Sequence, residues 1–327
     1  INSGNANAAT GDEGKVDAVN CCKVLSQRAG VLPEEIIPFS TGVIGEKLQV
    51  AKITDALPKL MSMLDETNWL LAARAIMTTD TRPKIATRIV DIEGKTLTIT
   101  GIAKGSGMIH PNMATLLVYI ATDALISKSV LEGLLKVGAD QSFNRITIDG
   151  DTSTNDSCML TATGASGVVC NAGAARSCFQ EMLFSLMQEL AHGIVRDGEG
   201  VTKFISVKVF GGAIRDDCLA VAYSIANSPL IKTAVYAGDA NWGRIIMAIG
   251  KADALIDPSK IDVYLGEVCL MQSGGRDENY REELGAAVME HESISISVNL
   301  NMGTEAETVW TSDLSHDYVT INAEYRT

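Results

Sequence analysis

Apolar residues recur along the chain with two different periods. A spacing of three to four residues predicts helices in five segments, 15–29, 48–63, 68–77, 128–139 and 174–196. Alternation of apolar and polar residues predicts strands in three segments, 95–108, 203–213 and 293–303. A further strand followed by a polar turn is expected in 144–156. The two periods are mixed without regular βαβ spacing, which indicates a mixed α/β protein with layered sheets.

The segment from Lys104 to Ala124 changes character at Thr115. Small residues, Pro and Asn before it are typical of a loop, whereas 116–120 is an unbroken apolar run typical of a buried strand. A β-branched residue that opens a strand explains Thr115 without any chemistry. The alternative is a nucleophile. If the bond between Ala114 and Thr115 were cut, Thr115 would carry a hydroxyl and an α-amine able to act as its base.

The glycine-rich segment 40–48, STGVIGEKL, permits a second chemical interpretation. Acyl transfer passes through an oxyanion that fixed hydrogen-bond donors stabilise. Thr41 offers a hydroxyl, Gly42 offers an approachable backbone N–H, and a following helix would add its positive N-terminal end. The alternative is an ordinary helix start without a catalytic role.

Charged and hydroxyl residues elsewhere also allow either a structural or a functional interpretation. Glu199 lies between two glycines, so it is either a solvated turn or a carboxylate presented to a cationic substrate. Lys104 is either a surface charge or an anchor for a substrate carboxylate. The hydroxyl-rich run 78–81 is typical of helix capping, and we assign the polar run 146–156 a structural role.

Composition narrows the class of protein. The 327 residues suffice for about two domains or one large layered domain, and 46% of them are hydrophobic. The net charge of -13, without any Lys/Arg run, argues against nucleic acid or an anionic membrane as partner. Apolar runs of about 18 residues are absent from the sequence, so we expect no membrane span.

Cysteine and histidine usage points to a reducing compartment. The seven cysteines are odd in number and form no C-x-x-C pair, and the four histidines are scattered. This pattern predicts free thiols, a cytoplasmic location and no metal site. Because the chain begins with Ile1, we expect that an N-terminal piece is missing.

Taken in order, seven segments resemble the glutamate N-acetyltransferase/ornithine acetyltransferase family. The resemblance runs from residue 2 to the C-terminus, and its most specific segment, the one ending in MAT, corresponds to the family's self-cleavage site. Family members normally carry several tens of residues before the first segment, and there this sequence departs from the pattern. The segments are NSGNANAATG, STGVIGE, AARAIMTTDTRPK, KGSGMIHPNMAT, RDGEGVTK, YAGDANWGRI and DYVTINAEY.

The resemblance implies specific roles for residues of this chain. Self-cleavage between Ala114 and Thr115 would give an α chain, 1–114, and a β chain, 115–327, that form one catalytic unit. Thr115 would then accept the acetyl group, while Thr41 and Gly42 would stabilise the oxyanion. The positions that match the family's substrate contacts are Thr81, Lys104, Thr115, Glu199, Asn322 and Thr327.

The resemblance also implies a fold and an activity. The fold would be a layered α/β/β/α sandwich similar to that of β-peptidyl aminopeptidases. The enzyme would move an acetyl group from N2-acetylornithine to glutamate in arginine biosynthesis, as an α2β2 or higher assembly without a cofactor. Acetyl-CoA is a possible second acetyl donor in this family. Two alternatives remain open: a self-cleaving amidase or aminopeptidase that uses water, and an uncut, catalytically silent binding protein.

Overall fold

A computed structural model of the chain describes residues 1–110 and 116–324. The first elements are β1 (Asn2–Asn5), α1 (Gly11–Ala29), β2 (Ser40–Val43), α2 (Val50–Ser62) and α3 (Trp69–Ala75). The middle elements are β3 (Lys84–Ile92), β4 (Lys95–Lys104), β5 (Leu117–Thr122), α4 (Lys128–Gln141), β6 (Ser157–Ala162) and α5 (Gly173–Arg196). The last elements are β7 (Phe204–Gly212), α6 (Arg215–Ala226), α7 (Pro229–Tyr236), α8 (Trp242–Gly250), β8 (Asp262–Leu265), β9 (Val268–Gln272), β10 (Gly275–Arg276), α9 (Glu282–Met289), β11 (Ser293–Asn299), β12 (Glu305–Ser312) and α10 (His316–Glu324).

The strands of the described residues form three sheets. The first is the parallel pair β1–β2, and the second has the order β3–β4–β5–β6. In the second sheet β3, β4 and β5 are antiparallel neighbours, whereas β5 and β6 are parallel. The third sheet has the order β10–β9–β8–β11–β7–β12. The chain is therefore a mixed α/β protein, as the two hydrophobic periods predict.

Two large hydrophobic cores hold the two larger sheets to their helices. One core joins the second sheet to α4 and α5, with Leu97, Ile120 and Leu186 among its buried side chains. The other joins the third sheet to α6 and α8, with Val207 and Ile249 among its buried side chains. Apolar burial of this kind stabilises a fold by about 25 cal/mol per Å². The small sheet β1–β2 lies outside both cores, and its backbone carries the start of the candidate site.

The helix predictions are confirmed, and one strand prediction is wrong. Each predicted helix is present with ends that differ by a few residues, and β4, β7 and β11 occupy the predicted strands. The segment 144–156, however, contains no strand. Its Thr147 N–H bonds the carbonyl of Trp310, but the next N–H, of Ile148, bonds the carbonyl of Ile109. Because its partner changes from one residue to the next, no continuous ladder forms.

The length and apolar character of the described helices decide whether one of them could span a membrane. No single helix among them is long and apolar enough to cross a membrane. The neighbouring helices α6 and α7 pass the length and composition test only as a pair, and they are bent by 54° relative to each other.

Lys232 on α7 is a buried amine in the second core. Its Nζ donates to Thr311 Oγ1 at 2.9 Å and also contacts the carbonyl of Ser312. Burial lowers the pKa of Lys232 to about 7 from its ordinary 10.5, although the charges of Asp313 and Asp149 act in the opposite direction. The folded chain therefore keeps this amine largely neutral in mildly alkaline solution.

We expect Lys232→Met to flatten the pH dependence of stability between pH 7.5 and 9. In that range the unfolded amine binds a proton that the folded amine does not, so the free energy of unfolding rises with pH by about 1.4 kcal/mol per unit. Urea unfolding at both pH values measures the slope. Lys260→Met, at a side chain that is 53% exposed, is the control and should keep the wild-type slope. Equal slopes for wild type and Lys232→Met would contradict the prediction.

Candidate active site

A cavity of about 260 Å³ collects residues from distant parts of the chain. Residues on both sides of the segment 111–115 line it, since Gly107 and Met108 precede that segment and Leu117 follows it. The remaining lining residues are Ala6, Thr41, Gly42, Ile44, Thr78, Thr79, Lys104, Asp149, Asp151, Ser153, Thr154, Asn155, Glu199, Tyr318 and Asn322. A concave site of this size with several converging polar groups suits a small polar ligand.

Thr41 and Gly42 lie on β2, and both line the cavity. Gly42 pairs with Gly4 of β1 and has a φ of 126°, a region that disfavours every residue with a side chain. A Cβ at Gly42 would lie 2.3 Å from the Gly4 carbonyl carbon, so the tight strand pair also requires glycine on steric grounds. Asn155 closes this corner, because its Nδ2 donates to the carbonyls of Ala6 and Ser40 at 2.6 and 3.0 Å.

The helix predicted over 48–63 does not reach back to Gly42. Residues 44–49 form an irregular connection, and α2 starts only at Val50. Residues of its first turn do not line the cavity. A helix dipole falls off within about one turn, so α2 does not supply the positive end expected at this corner.

Lys104 is the last residue of β4 and lines the cavity from a nearly buried position. Its Nζ donates to Thr78 Oγ1 at 2.7 Å. Burial lowers the pKa of Lys104, while the negative charges of Asp80, Asp156 and Glu199 raise it, and the net shift is downward. A buried cation beside an open cavity is suited to bind an anionic group of a ligand.

Thr81 does not line the cavity, and its contact with substrate stays a prediction. Its backbone N–H donates to Asp197 Oδ2 at 3.1 Å, and its hydroxyl bonds the other oxygen of the same carboxylate. These bonds fix Thr81 at the end of α5. Thr78 and Thr79 of the same hydroxyl-rich run line the cavity instead. The sequence pattern located the run but not the member that faces the cavity.

Glu199 and Asn322 meet across the cavity although 123 positions separate them. Asn322 Nδ2 on α10 donates to Glu199 Oε2 at 2.7 Å, and the Glu199 N–H donates to the Ser106 carbonyl at 2.9 Å. A Cβ at Gly107 would lie 2.5 Å from the carboxyl carbon of Glu199, so glycine makes room for this carboxylate. Gly200, with a φ of 67°, packs in the same way against the backbone of Tyr318.

The polar run 146–156, expected to be structural, supplies five cavity-lining residues. Asp149 accepts hydrogen bonds from the N–H groups of Met108 and Ile109 at 2.6 and 2.9 Å. It therefore holds the backbone just before the segment 111–115. Tyr318 Oη also contacts Asp149, and burial raises the pKa of that tyrosine. The concentration of Asp, Ser, Thr and Asn in this run was the available sequence signal.

A buried ion group connects the strands and helix that carry the cavity. Lys84 Nζ contacts the carboxylates of both Asp80 and Asp197, and it donates to the Gly105 carbonyl at 3.0 Å. Asp80 in turn accepts the Gly105 N–H at 2.8 Å. Burial raises the pKa of Asp80, but Lys84 and Lys104 together outweigh it, so the net pKa shift is downward. The start of β3, the end of β4 and the end of α5 are thus held together beside the cavity.

Three of the residues singled out from sequence lie outside the described ranges. They are Ala114, Thr115 and Thr327. Thr41, Gly42, Lys104, Glu199 and Asn322 all line one cavity, whereas Thr81 does not.

A mixed α/β fold with a cavity lined by buried charged residues is typical of enzymes that act on small molecules. The chain belongs to the ArgJ family, whose model matches residues 1–327. It is 53% identical to proteins named "Arginine biosynthesis bifunctional protein ArgJ" from Pseudomonas syringae pv. tomato and Pseudomonas fluorescens, over all of this chain and 82% of each relative. A crystal structure of the protein so named from Bacillus halodurans is similar, with a TM-score of 0.60 and 39% identity, over 62% of this chain and 96% of that chain.

We expect Gly107→Ala to destabilise the protein by about 1–3 kcal/mol, the usual cost of overpacking. Its new methyl group would lie against the Glu199 carboxyl group and displace it from Asn322. Denaturant unfolding measures the change. Gly133→Ala is the matched control, because a Cβ there meets nothing within 4 Å on helix α4. That variant should be neutral or slightly stabilised. If both variants were equally stable, glycine at position 107 would not be needed to leave space for the Glu199 carboxyl group.

Proposed function

We propose that this chain transfers an acetyl group from N2-acetylornithine to glutamate through an acetyl ester on Thr115. One observation carries the proposal. The described residues that flank the segment 111–115 line the same cavity as Thr41, Gly42, Lys104 and Glu199. The described chain on both sides of position 115 therefore lines a pocket that contains donors for an oxyanion and two opposite charges for an amino acid.

The nucleophile is released by cleavage between Ala114 and Thr115. Residues 1–114 then form an α chain and residues 115–327 a β chain. The α chain contributes Thr41, Gly42 and Lys104, and the β chain contributes Glu199 and Asn322.

Acetyl transfer then follows the general course of covalent catalysis. The Thr115 hydroxyl attacks the acetyl carbonyl carbon, and its proton passes to the free α-amine of the same residue. The Thr41 hydroxyl and the Gly42 N–H donate to the oxygen that becomes negative. The intermediate collapses, ornithine leaves with the proton on its α-amine, and the acetyl group stays on Thr115. The α-amine of glutamate attacks this ester and regenerates the hydroxyl.

Opposite charges in the cavity orient the amino-acid substrates. Lys104 binds the carboxylate of the substrate, supported by Thr78. Thr81, which matches a substrate contact of the family, belongs to the same proposal. Glu199, held by Asn322, binds the positively charged side chain of ornithine. Thr327 at the C-terminus completes this list of substrate contacts. An ion pair in a site closed from water is stronger than an exposed pair.

Acetyl-CoA is a second acetyl donor in this proposal, and the word "bifunctional" in the relatives' names supports it. Arginine biosynthesis in the cytoplasm is the corresponding role. We further propose that the α and β chains form a layered α/β/β/α sandwich in an α2β2 or higher assembly, without a bound cofactor.

We expect purified wild-type protein to run as two chains on a denaturing gel and Thr115→Ala to run as one. Alanine removes the hydroxyl that attacks the Ala114 carbonyl, yet it leaves the following strand unchanged. Thr115→Ser keeps a hydroxyl and is the matched control, which should still be cut. Two fragments from Thr115→Ala, in a preparation free of contaminating protease, would contradict self-cleavage.

We also expect parallel double-reciprocal plots and an acetylated β chain. A single nucleophile that serves two substrates in succession produces ping-pong kinetics. Intact-mass measurement with N2-acetylornithine alone should reveal one acetyl group on the β chain, and adding glutamate should remove it. Intersecting plots would indicate direct transfer. Loss of the acetyl group at the same rate without glutamate would identify water as the acceptor and favour an amidase.

A further inference from the structure

Asp156 lies beside the residue that follows Thr115 in the chain. It directly precedes β6, which pairs in parallel with β5 so that Leu117 lies opposite Ser157. The Ser157 N–H donates to the Leu116 carbonyl at 2.9 Å, and the Leu116 N–H acts on the Asp156 carboxylate. Asp156 therefore lies beside Leu116, the first described residue after the segment 111–115 and the one bonded to Thr115 in the chain.

Both carboxylate oxygens of Asp156 are shielded from water, and no side chain of the described residues donates to them; the Leu116 N–H lies near enough to lower the pKa but does not form a well-aligned hydrogen bond. Burial raises its pKa to about 7, and the opposing effects are the Leu116 N–H and the positive charge of Lys104 on β4. A buried polar group without a partner costs free energy and is rare in folded proteins. Packing does not account for its presence here.

Three other carboxylates around the cavity are already engaged. Asp149 accepts two backbone N–H groups, and Glu199 accepts from Asn322. Asp80 contacts Lys84 in the buried ion group. Of these four carboxylates, Asp156 alone has neither a side-chain donor nor a cation in contact among the described residues, yet it lies beside Leu116, which follows the reacting segment.

Self-cleavage requires a proton acceptor that the mature enzyme does not need. In the mature enzyme the α-amine of Thr115 can serve as the base. Before the cut, that nitrogen belongs to the peptide bond between Ala114 and Thr115, and its lone pair is delocalised into the carbonyl group. A different group must therefore take the proton from the Thr115 hydroxyl and give one to the departing nitrogen.

We propose that Asp156 is the proton-transfer residue of the self-cleavage step, an inference that rests on the proposed function. Its carboxylate takes the proton of the Thr115 hydroxyl while the oxygen forms a bond to the Ala114 carbonyl carbon. The carbon–nitrogen bond then breaks, and the proton passes from Asp156 to the nitrogen, which becomes the α-amine of Thr115. Water hydrolyses the resulting ester, which releases the Ala114 carboxylate and restores the Thr115 hydroxyl.

The test follows cleavage of newly made chains in cell-free translation, stopped and transferred to buffers between pH 5.5 and 8.5. Denaturing gels give the rate for wild type, Asp156→Asn, Asp156→Glu and the matched control Asp123→Asn, which alters a carboxylate at the other end of β5. We expect Asp156→Asn to be slower by about 100-fold, the lower end of the range for general acid–base catalysis. Asp156→Glu should retain cleavage, and Asp123→Asn should match wild type.

The pH profile separates proton transfer from a structural effect. The reactive form is the carboxylate, so the wild-type rate should rise as pH passes through about 7 and level off above it. The residual rate of Asp156→Asn should lack this rise. If the thermal transition shows that Asp156→Asn does not fold, the dependence of the cleavage rate on pH in Asp156→Glu decides instead. A profile shifted along the pH axis relative to wild type supports the proposal, and a profile that coincides with wild type overturns it.

Two outcomes distinguish this inference from the function on which it rests. A wild-type chain that is cut, with Asp156→Asn cut equally fast, overturns the role of Asp156 and leaves the proposed acetyltransferase intact. A wild-type chain that is never cut removes the proposed function, and the role of Asp156 with it.

Discussion

The contact of one buried lysine with two buried aspartates is the interaction on which the site depends. Lys84 joins Asp80, before β3, to Asp197, after α5, and also bonds the backbone at Gly105, after β4. A charge removed from water is stable only when its partners are held in good geometry, and loss of one partner typically costs about 3–5 kcal/mol. Three parts of the site are close in sequence to these residues. The hydroxyl-rich run 78–81 contains Asp80, Lys104 precedes Gly105, and Glu199 follows Asp197 by two positions.

Close backbone contacts supply the second constraint. Gly42 must lie against Gly4 for β1 and β2 to pair, and Gly107 must leave space for the carboxylate of Glu199. In both places a methyl group would occupy the position of another atom. The shape of the cavity therefore depends on these two glycines as much as on the polar groups that line it. This arrangement holds groups from distant segments in place before a ligand binds, which reduces the entropy cost of binding.

Sequence periodicity located the elements well where each was long and had one dominant period. Helices α4 and α5 and strands β4, β7 and β11 are examples. It failed at 144–156, where the apolar Ile146 and Ile148 alternate as in a strand but their backbones bond two unrelated segments. It also overestimated the apolar face of α2, since Leu60 and Met63 are exposed in the described chain. Periodicity reports which side chains are apolar, and it contains no information about backbone partners.

The sequence by itself determined the class of fold and the family, and it named five residues that line the cavity, Thr41, Gly42, Lys104, Glu199 and Asn322, because these depend on residue order and on motifs read along the chain. Only the tertiary structure decided that Thr78 and not Thr81 lines the cavity, and that Asp149 and Asp156 lie beside the segment 111–115. Those assignments depend on the direction in which the backbone turns and on which carboxylates form hydrogen bonds with residues distant in sequence. Such contacts join residues tens of positions apart, and no local pattern encodes them.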